Sequence, residues 1–357
     1  MSTLAAQIAA WDGLATLARF DHETGTWIFI ALHDDTLGVP TGGTRMKVYP
    51  SPEAGLADAH RLAAGMTAKW AAIDFPVGGG KAVLAVPRPL EGEERRGLLR
   101  RYGRLVQALR GGFSTGQDLG ISLADMDVVG EESSHVHGIG PSVRDVPSGV
   151  YTARGVYAAV RASLAQVFGS AELAGRRVLV EGVGAVGVPL ARSLVREGAK
   201  VLLSDLDADR AARLAAELGA GVVAPEAVPT TAADVYAPCA VGAVLNARTI
   251  PRLACRVVAG AANNQLAEEE DAQRLHDRGI LYAPDFIANA GGAVGLFSVE
   301  AGASAEEVDR RLLAIGDTLG EIFREATERR ESPLAGAQRR VAAVLARRRA
   351  ERDAGRA

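Results

Sequence analysis

The chain has few cysteines and few aromatic residues. Its 357 residues include two cysteines, Cys239 and Cys255, which are too few for a disulfide framework and do not form a Cys-x-x-Cys metal site. We expect both thiols to pack as small apolar side chains in a reducing compartment. Aromatic residues make up 5% of the chain, and the core must therefore be built mainly from Ala, Val and Leu.

An excess charge of one sign and long apolar runs are also absent. The 40 Lys and Arg residues nearly balance the 43 Asp and Glu residues, and the net charge of −3 offers no basic surplus to a nucleic-acid partner. No apolar run reaches the roughly 18 residues of a membrane-spanning helix, and the N-terminal stretch lacks the basic region of a signal peptide. We expect a cytoplasmic protein with no membrane and no nucleic-acid partner.

Glycine is in excess, with 41 residues. In the second half of the chain, the sequence also shows a regular alternation of predicted strands and helices. From Arg176 onward, short apolar strands alternate with predicted helices over 186–197, 208–218 and 268–278. This alternation is typical of βαβ units in a parallel sheet, and the length favours more than one domain. We expect an α/β fold with an N-terminal α/β substrate and oligomerisation domain over 1–150, a doubly wound Rossmann-type domain over 151–290, a cleft between them, and a helical segment over 291–357 that packs back on the first domain.

Capping residues and apolar spacing predict the elements of the first half. Ser51 is a good N-cap, Pro52 suits the first helical position, and apolar residues at helical spacing continue to about Lys69. The other predicted elements are a strand over 26–35, a Gly-rich turn leading into a strand over 82–86, a helix over 91–109, and an irregular region over 111–148. His135 and His137 lie in that region without a third ligand cluster, so we expect loop histidines and no metal site.

A dinucleotide-binding fingerprint follows the predicted strand that begins near Arg176. It consists of Gly182, Val183, Gly184, Ala185, Val186 and Gly187. Its glycines allow a tight turn, close approach of the backbone to a pyrophosphate, and close packing of helix on strand. Asp205 lies 23 residues after Gly182, where a carboxylate bonds the ribose 2′-hydroxyl and repels a 2′-phosphate. The sequence therefore predicts NAD rather than NADP as the cofactor.

Two lysines and one aspartate are candidates for the chemistry. Lys69 and Lys81 lie on either side of one turn, and Lys81 follows three glycines in GGGK. Burial and a neighbouring cation would lower the pKa of one lysine and make it a base near neutral pH, while the other holds a carboxylate. Asp118 lies in TGQDLG. Taken singly, each lysine is equally compatible with a solvated charge and Asp118 with a turn residue.

These motifs resemble one family in content and in order. The segments are GGTRMKVYPSPEAG, GMTAK, PVGGGK, TGQDLG, GVGAVG, YAPCAVG, GAANNQ and YAPDFIANAGG, and they extend from about residue 38 to residue 295. Together they resemble the leucine, valine and phenylalanine dehydrogenases of the glutamate dehydrogenase-like superfamily. The resemblance implies reversible, NAD-dependent oxidative deamination of an L-amino acid to the 2-oxo acid and ammonia, by a homo-oligomer.

The resemblance also implies roles for single residues. Lys69 would bind the substrate α-carboxylate, Lys81 would be the base that activates water, and Asp118 would hold the amino group and relay protons. The residues expected near the nicotinamide and its ribose are Thr152, Ala240 and Asn263.

Residues at the expected substrate wall favour an uncharged, bulky substrate. Thr41 stands where glutamate dehydrogenases carry a lysine for the distal carboxylate, and burial of that carboxylate without a cation is unfavourable. At Thr41, Gly116 and Ala293 this chain has less apolar bulk than the aliphatic enzymes generally have, which enlarges the pocket. We expect an aromatic or large hydrophobic amino acid, with a branched-chain amino acid as the alternative. The expected substrate-binding residues are Thr41, Gly42, Met66, Lys69, Gly116, Ala293 and Leu296.

Two further functions are compatible with a Rossmann-type domain. One is a catalytically inactive relative that binds NAD, and the other is a different Rossmann oxidoreductase, such as a hydroxy-acid dehydrogenase. Retention of Lys69, Lys81 and Asp118 argues against the first, and the second leaves the GGGK segment unexplained. The arginine-rich stretch after Arg339 is expected to be a solvated helix end.

Overall fold

The computed structural model describes residues 3–140, 143 and 146–355. They belong to two compact units, the first formed by residues 1–145 and 341–357 and the second by residues 146–340. Within the described residues no helix is long and apolar enough to cross a membrane.

The first unit is built on a five-stranded mixed sheet with the strand order β1-β2-β4-β3-β5. Its elements are α1 (Leu4–Ala10), β1 (Ala15–Asp21), β2 (Thr26–Asp34), β3 (Pro40–Val48), α2 (Pro52–Ala72), β4 (Gly78–Val86), α3 (Gly92–Ala108), β5 (Ser114–Gln117) and α4 (Leu123–Gly130). β2 pairs antiparallel with β1 and β4, whereas β3 pairs parallel with β4 and β5. Alternate residues of β2 and β4 enter two different apolar clusters, one with α3 and one with α2. Helices therefore cover both faces of the sheet.

The predicted start of α2 is confirmed in atomic detail. Ser51 has extended backbone angles and its side chain accepts a hydrogen bond from the amide of Ala54, with Pro52 at the first helical position. The predicted irregular region after residue 111 contains two short elements, β5 and α4, and α4 begins with a capping box between Ser122 and Asp125. A polar, Gly-rich composition hid both, because four-residue strands and two-turn helices carry little periodicity.

The predicted Gly-rich turn before Lys81 is wrong. Gly78, Gly79 and Gly80 are the first residues of β4, whose nine residues are all buried. Close packing rather than an unusual backbone angle requires glycine here: a Cβ on Gly79 would lie 1.8 Å from the Thr67 hydroxyl oxygen on α2. The absence of side chains lets β4 run directly beneath α2.

The second unit is a six-stranded parallel sheet with helices around it. Its elements are α5 (Ser148–Phe168), β6 (Arg177–Glu181), α6 (Gly187–Arg196), β7 (Lys200–Ser204), α7 (Ala208–Leu218), β8 (Gly221–Val222), β9 (Val235–Pro238), β10 (Val257–Val258), α8 (Glu270–Asp277), β11 (Leu281–Tyr282), α9 (Asp285–Ala288), α10 (Gly291–Glu300), α11 (Ala305–Arg329) and the start of α12 (Pro333–Ala354). The strand order is β11-β10-β9-β6-β7-β8, with every pair parallel. This is the predicted doubly wound fold.

The C-terminal segment differs from its prediction. We expected all of residues 291–357 to pack on the first domain, but α10 and α11 pack against α5 inside the second unit. Only residues from 341 onward belong to the first unit. The apolar face of α11, with Leu312, Ile315 and Leu319 buried, needs a partner helix, and α5 supplies it. The second unit accordingly begins at residue 146 and continues past 290.

A substitution at Gly79 tests the close packing of β4. Gly79→Ala places a methyl group on the Thr67 hydroxyl, and we expect the free energy of unfolding in urea to fall by about 1–3 kcal/mol. Gly65→Ala is the control, because Gly65 is an exposed residue of α2 and a Cβ there meets nothing within 4 Å. The control should stabilise the protein by about 0.5–1 kcal/mol. Equal stability of the two variants would contradict the packing argument.

Candidate active site

Lys81 lies in the middle of the buried strand β4, and its charge is compensated by Asp118. The Lys81 Nζ is 3.1 Å from Asp118 Oδ2, and the Lys81 side chain is 7% exposed. Asp118 directly follows β5, which joins the sheet through β3. Lys81 and Asp118 are 37 positions apart in the chain, and the pairing of β4 with β3 and of β3 with β5 brings them together. Two of the candidates for catalysis are in contact.

Arg45 on β3 completes this cluster, and no sequence motif singles it out. Its Nε donates to Asp118 Oδ2 at 2.9 Å and its Nη1 donates to Asp58 Oδ2 at 3.1 Å. Asp58 on α2 also accepts hydrogen bonds from Tyr49 at 2.6 Å and from Arg61 at 2.7 Å. Arg45 therefore bridges two half-buried carboxylates and fixes the orientation of Asp118.

Burial and neighbouring charges shift the pKa values of the cluster in a consistent way. Burial lowers the pKa of Lys81 most strongly, Asp118 raises it, and Arg45 lowers it again, so that the pKa lies below the ordinary lysine value of 10.5. For Asp118, burial raises the pKa but Lys81 and Arg45 outweigh it, and the pKa lies below 3.8. The carboxylate stays charged at neutral pH, while Lys81 is the group poised to lose a proton.

The structure brings several predicted substrate-binding residues to the same part of the first unit. A Cβ on Gly42 would lie 1.8 Å from the carbonyl oxygen of Gly80 and 3.3 Å from Met66 Cγ, so β3 packs directly on β4 and α2. Thr41 is buried next to Gly42. Lys69 is half-buried near the C-terminal end of α2. These residues lie on β3 and α2, the two elements that pack against the strand of Lys81.

Gly116 and the α10 residues occupy different places. Gly116 lies on β5, opposite Gly43 of β3, and a Cβ there would meet the backbone and side chain of His137 at 3.6–3.7 Å. Ala293 and Leu296 are half-buried on α10, in the second unit. The first unit alone therefore does not contain the complete predicted set.

The predicted cofactor residues other than Thr152 follow the carboxyl ends of neighbouring strands in the second unit. Gly182 follows β6, Asp205 follows β7, Ala240 lies two residues after β9, and Asn263 follows β10. β6 has β7 on one side and β9 on the other, and the chain reverses its direction across the sheet at β6. Ligands of open α/β sheets bind in the crevice at such a point.

The fingerprint loop has the geometry of a phosphate cradle. Gly182 has a φ of 94°, which favours glycine, and a Cβ on Gly187 would lie 1.9 Å from the Gly182 carbonyl oxygen. A Cβ on Gly184 would meet no atom within 4 Å, so the backbone at this point is open to a ligand. The loop leads into the N-terminus of the ten-residue helix α6, where backbone N–H groups favour an anion. The residues fit a dinucleotide.

Asp205 is held as a charged acceptor beside this loop. Its carboxylate accepts hydrogen bonds from the amides of Val183 at 2.8 Å and Asp207 at 2.9 Å, and from Arg210 at 2.7 Å. Burial raises the pKa of Asp205, but these three donors outweigh it, so the pKa lies below 3.8. Arg210, five residues later in the chain, thus forms an ion pair with Asp205.

The three residues predicted near the nicotinamide have defined surroundings. Ala240 lies against Gly182, because a Cβ on Gly182 would come within 2.7 Å of the Ala240 Cβ. The Asn263 side chain accepts a hydrogen bond from Asn289 at 2.7 Å. Thr152 on α5 donates its hydroxyl hydrogen to the Ser148 carbonyl at 2.9 Å. Each belongs to the second unit, as the fingerprint does.

Comparison with known proteins decides the family. Residues 21–135 match the family described as Glu/Leu/Phe/Val dehydrogenase, dimerisation domain, and residues 212–353 match Glutamate/Leucine/Phenylalanine/Valine dehydrogenase. The chain belongs to this family. It is an amino-acid dehydrogenase, an oxidoreductase acting on CH–NH2 donors that uses a nicotinamide cofactor.

Individual relatives of the family match most of the chain. A leucine dehydrogenase of Bacillus cereus is 41% identical over 85% of this chain and 82% of its own length. An L-tryptophan dehydrogenase of Nostoc punctiforme is 40% identical over 84% of each chain. The crystal structure of L-tryptophan dehydrogenase from Nostoc punctiforme superimposes with a TM-score of 0.86 at 35% identity, covering 97% of this chain and 99% of the other. The predicted family is confirmed, and the alternative of a different class of Rossmann oxidoreductase is wrong.

Proposed function

We propose that this dehydrogenase oxidises a hydrophobic L-amino acid with NAD, and that Lys81 is its catalytic base. The reaction is reversible oxidative deamination to the 2-oxo acid and ammonia. The observation that carries the assignment of Lys81 is its buried ammonium group 3.1 Å from Asp118. A lysine in this setting loses its proton more readily than one in water and is a suitable base near neutral pH.

Each side chain of the first unit has a defined task in this proposal. Lys69 binds the substrate α-carboxylate as a cation. Asp118, charged and oriented by Arg45, holds the substrate amino group. Lys81, in its neutral form, takes a proton from the water that attacks the imine carbon, and the protonated form polarises the carbonyl oxygen in the reverse direction. A nicotinamide bound at the second unit would supply the acceptor for the hydride that leaves the substrate Cα.

The cofactor proposed is NAD rather than NADP. Asp205 is charged and lies beside the fingerprint loop, where its carboxylate accepts from a ribose 2′-hydroxyl and repels a 2′-phosphate. Val183 and Asp207 hold it in place through backbone amides. Gly182, Gly184 and Gly187, together with the helix behind them, would hold the pyrophosphate.

A large hydrophobic substrate is proposed, aromatic before branched-chain. Thr41 does not make the pocket polar, because its hydroxyl donates to the Val39 carbonyl at 2.9 Å and is satisfied within the chain. No lysine occupies this position to hold a second carboxylate. Gly116 leaves room for substrate that an alanine would fill. The relatives named for leucine and for tryptophan are about equally similar to this chain, so the side chains lining the pocket carry the argument.

A homo-oligomer is also proposed. The matched family description of residues 21–135 is a dimerisation domain. Among the described strands β1 pairs with β2 alone and forms one edge of the sheet, and Leu14 and Phe20 beside this edge are exposed. An antiparallel edge of this kind pairs with a second copy of itself about a two-fold axis.

Replacement of Lys81 tests the assignment of the base. Lys81→Ala should lower kcat for NADH formation by about 10²- to 10⁴-fold, the usual contribution of a positioned general base. Lys200→Ala is the control, because Lys200 is an exposed lysine at the start of β7 and should retain wild-type kcat. Turnover of Lys81→Ala close to that of the control would rule out the assigned role.

The charges around Lys81 predict opposite shifts in the pH profile. The neutral lysine is the base, so kcat for deamination falls as the pH drops below the pKa of Lys81. Asp118→Asn removes the carboxylate that raises this pKa, and the acid limb should move to lower pH. Arg45→Met removes a cation that lowers it, and the acid limb should move to higher pH. Profiles of kcat at saturating substrate measure both shifts. Shifts in the same direction would contradict the charge arrangement.

Cofactor preference is expected to depend on Asp205. Asp205→Ser removes the carboxylate and releases Arg210 to meet a 2′-phosphate, so the ratio of kcat/KM for NAD to that for NADP should fall at least about 10-fold. Asp207→Ser is the control, since serine retains the N-cap that Asp207 provides to α7. A wild-type enzyme that prefers NADP at equal concentration would overturn the choice of NAD.

Substrate preference is expected to depend on Gly116. Wild-type kcat/KM should be higher for L-Phe and L-Trp than for L-Leu and L-Val. Gly116→Ala should lower the ratio of aromatic to branched-chain kcat/KM, because the added methyl group meets His137 at 3.6–3.7 Å without a clash and would narrow the proposed pocket. The ratio within one protein preparation controls for differences in active fraction. A strong wild-type preference for Leu or Val would defeat the enlarged pocket.

A further inference from the structure

Arginines near the end of α12 form ion pairs with acidic residues at the beginning of the chain. Arg347 Nη2 lies 2.5 Å from Asp74 Oδ2, and Arg348 donates to Asp74 Oδ1 at 3.0 and 2.9 Å. Arg349 Nη2 lies 2.6 Å from Asp34 Oδ2, and Arg352 Nη1 lies 3.0 Å from Asp35 Oδ1. The partners are 273 to 317 positions apart, and all belong to the first unit. The stretch is exposed to solvent, as expected, but its arginines are held by ion pairs within the first unit.

The three acidic residues lie at or next to the two turns that lead into β3 and β4, the strands of the candidate site. Asp34 ends β2, and Asp35 follows it in the turn to β3, which carries Gly42. Asp74 lies between α2 and β4, at a φ of 49° that non-glycine residues rarely adopt. Lys81 follows seven residues later in the chain. Each turn that these arginines contact therefore leads directly into a strand that carries residues of the site.

The two turns are also in direct contact with each other. Gly78 donates its backbone N–H to the Val39 carbonyl at 3.0 Å. A Cβ on Gly78 would lie 2.4 Å from the Gly38 carbonyl oxygen and 2.5 Å from that of Asp34. No side chain separates the backbones, so a displacement of one turn is transmitted to the other and to the start of β4.

The arginine side chains of these pairs are 38–54% exposed, whereas the carboxylates that they share are partly buried. Asp34 has a side chain that is 10% exposed, and its other carboxylate oxygen accepts from the Thr36 amide at 2.7 Å. Arg349 donates to the Thr36 hydroxyl as well, at 3.1 Å. Asp74 receives three donors from two consecutive arginines. Single exposed pairs contribute little, whereas a network that shares acceptors and is partly buried holds its geometry.

We propose that Arg347, Arg348 and Arg349 are positioning residues that hold the turns before β3 and β4 and thereby fix Lys81 relative to Asp118. The inference rests on the proposed role of Lys81. A misplacement of about 1 Å in a catalytic group is enough to lower turnover by about 100-fold. The arginines touch no reacting group and act through the backbone of the two turns.

The test compares two sets of variants of α12. Arg347→Ala/Arg348→Ala releases Asp74, Arg349→Ala releases Asp34, and Arg340→Ala is the matched control because Arg340 pairs with Glu321 in the second unit. We expect faster hydrogen–deuterium exchange over residues 32–41 and 73–81, and a 5- to 50-fold lower kcat with KM for NAD unchanged. Arg347→Lys/Arg348→Lys should recover most of kcat, since the charges are kept. The control should match wild type in both readouts.

The two readouts separate this inference from the proposed function. The inference is supported if exchange rises and kcat falls in Arg347→Ala/Arg348→Ala and in Arg349→Ala, but not in Arg340→Ala. Unchanged exchange, or faster exchange with wild-type kcat, overturns it. If the double variant does not fold, Arg349→Ala alone decides by the same criteria. If Lys81→Ala keeps wild-type turnover, the proposed role of Lys81 fails. Exchange that still rises in the Arg347→Ala/Arg348→Ala and Arg349→Ala variants would then show only that these arginines hold the two turns.

Discussion

The burial of the Lys81 ammonium group is the constraint on which the first unit depends. An uncompensated cation inside a sheet would be strongly unfavourable, and Asp118 compensates it at 3.1 Å. Arg45 then joins Asp118 to Asp58, and Arg61 adds a third cation at Asp58. When Lys81 releases its proton, the two arginines balance the two carboxylates, so no net charge remains in the cluster. Folding and chemistry therefore place the same requirement on these side chains.

In both units, glycines allow the backbones of neighbouring elements to come into direct contact. At Gly42 and Gly79 the strands β3 and β4 approach each other and α2 more closely than any Cβ allows, which brings Lys81 into the middle of a covered sheet. In the second unit, the backbone of Gly187 packs directly against the Gly182 carbonyl oxygen. This contact places the N-terminus of α6 next to the fingerprint loop. The glycine excess of the chain is explained by close approach more than by conformational freedom.

Short sequence patterns predict those elements whose structure is set by residues close together in the chain. The N-cap at Ser51 and the strand, turn and helix around Gly182 follow from short-range patterns, and the structure confirms these elements together with the fold class. The strand at Gly79 was predicted as a turn, because its reason is the approach of Thr67, twelve residues earlier in the chain. The role of Arg45 depends on an aspartate 73 residues away, and that of Arg348 on one 274 residues away. Such contacts leave no periodic trace in the sequence.

Titration of Lys81 itself tests the central claim most directly. The chain contains four lysines, so protein labelled with ¹³C at lysine Cε gives few signals, and the signal missing from Lys81→Ala identifies Lys81. The account predicts that the Lys81 signal titrates below 10.5 in the wild-type protein, and at still lower pH in Asp118→Asn. A Lys81 signal that titrates at or above the ordinary lysine value would contradict the account.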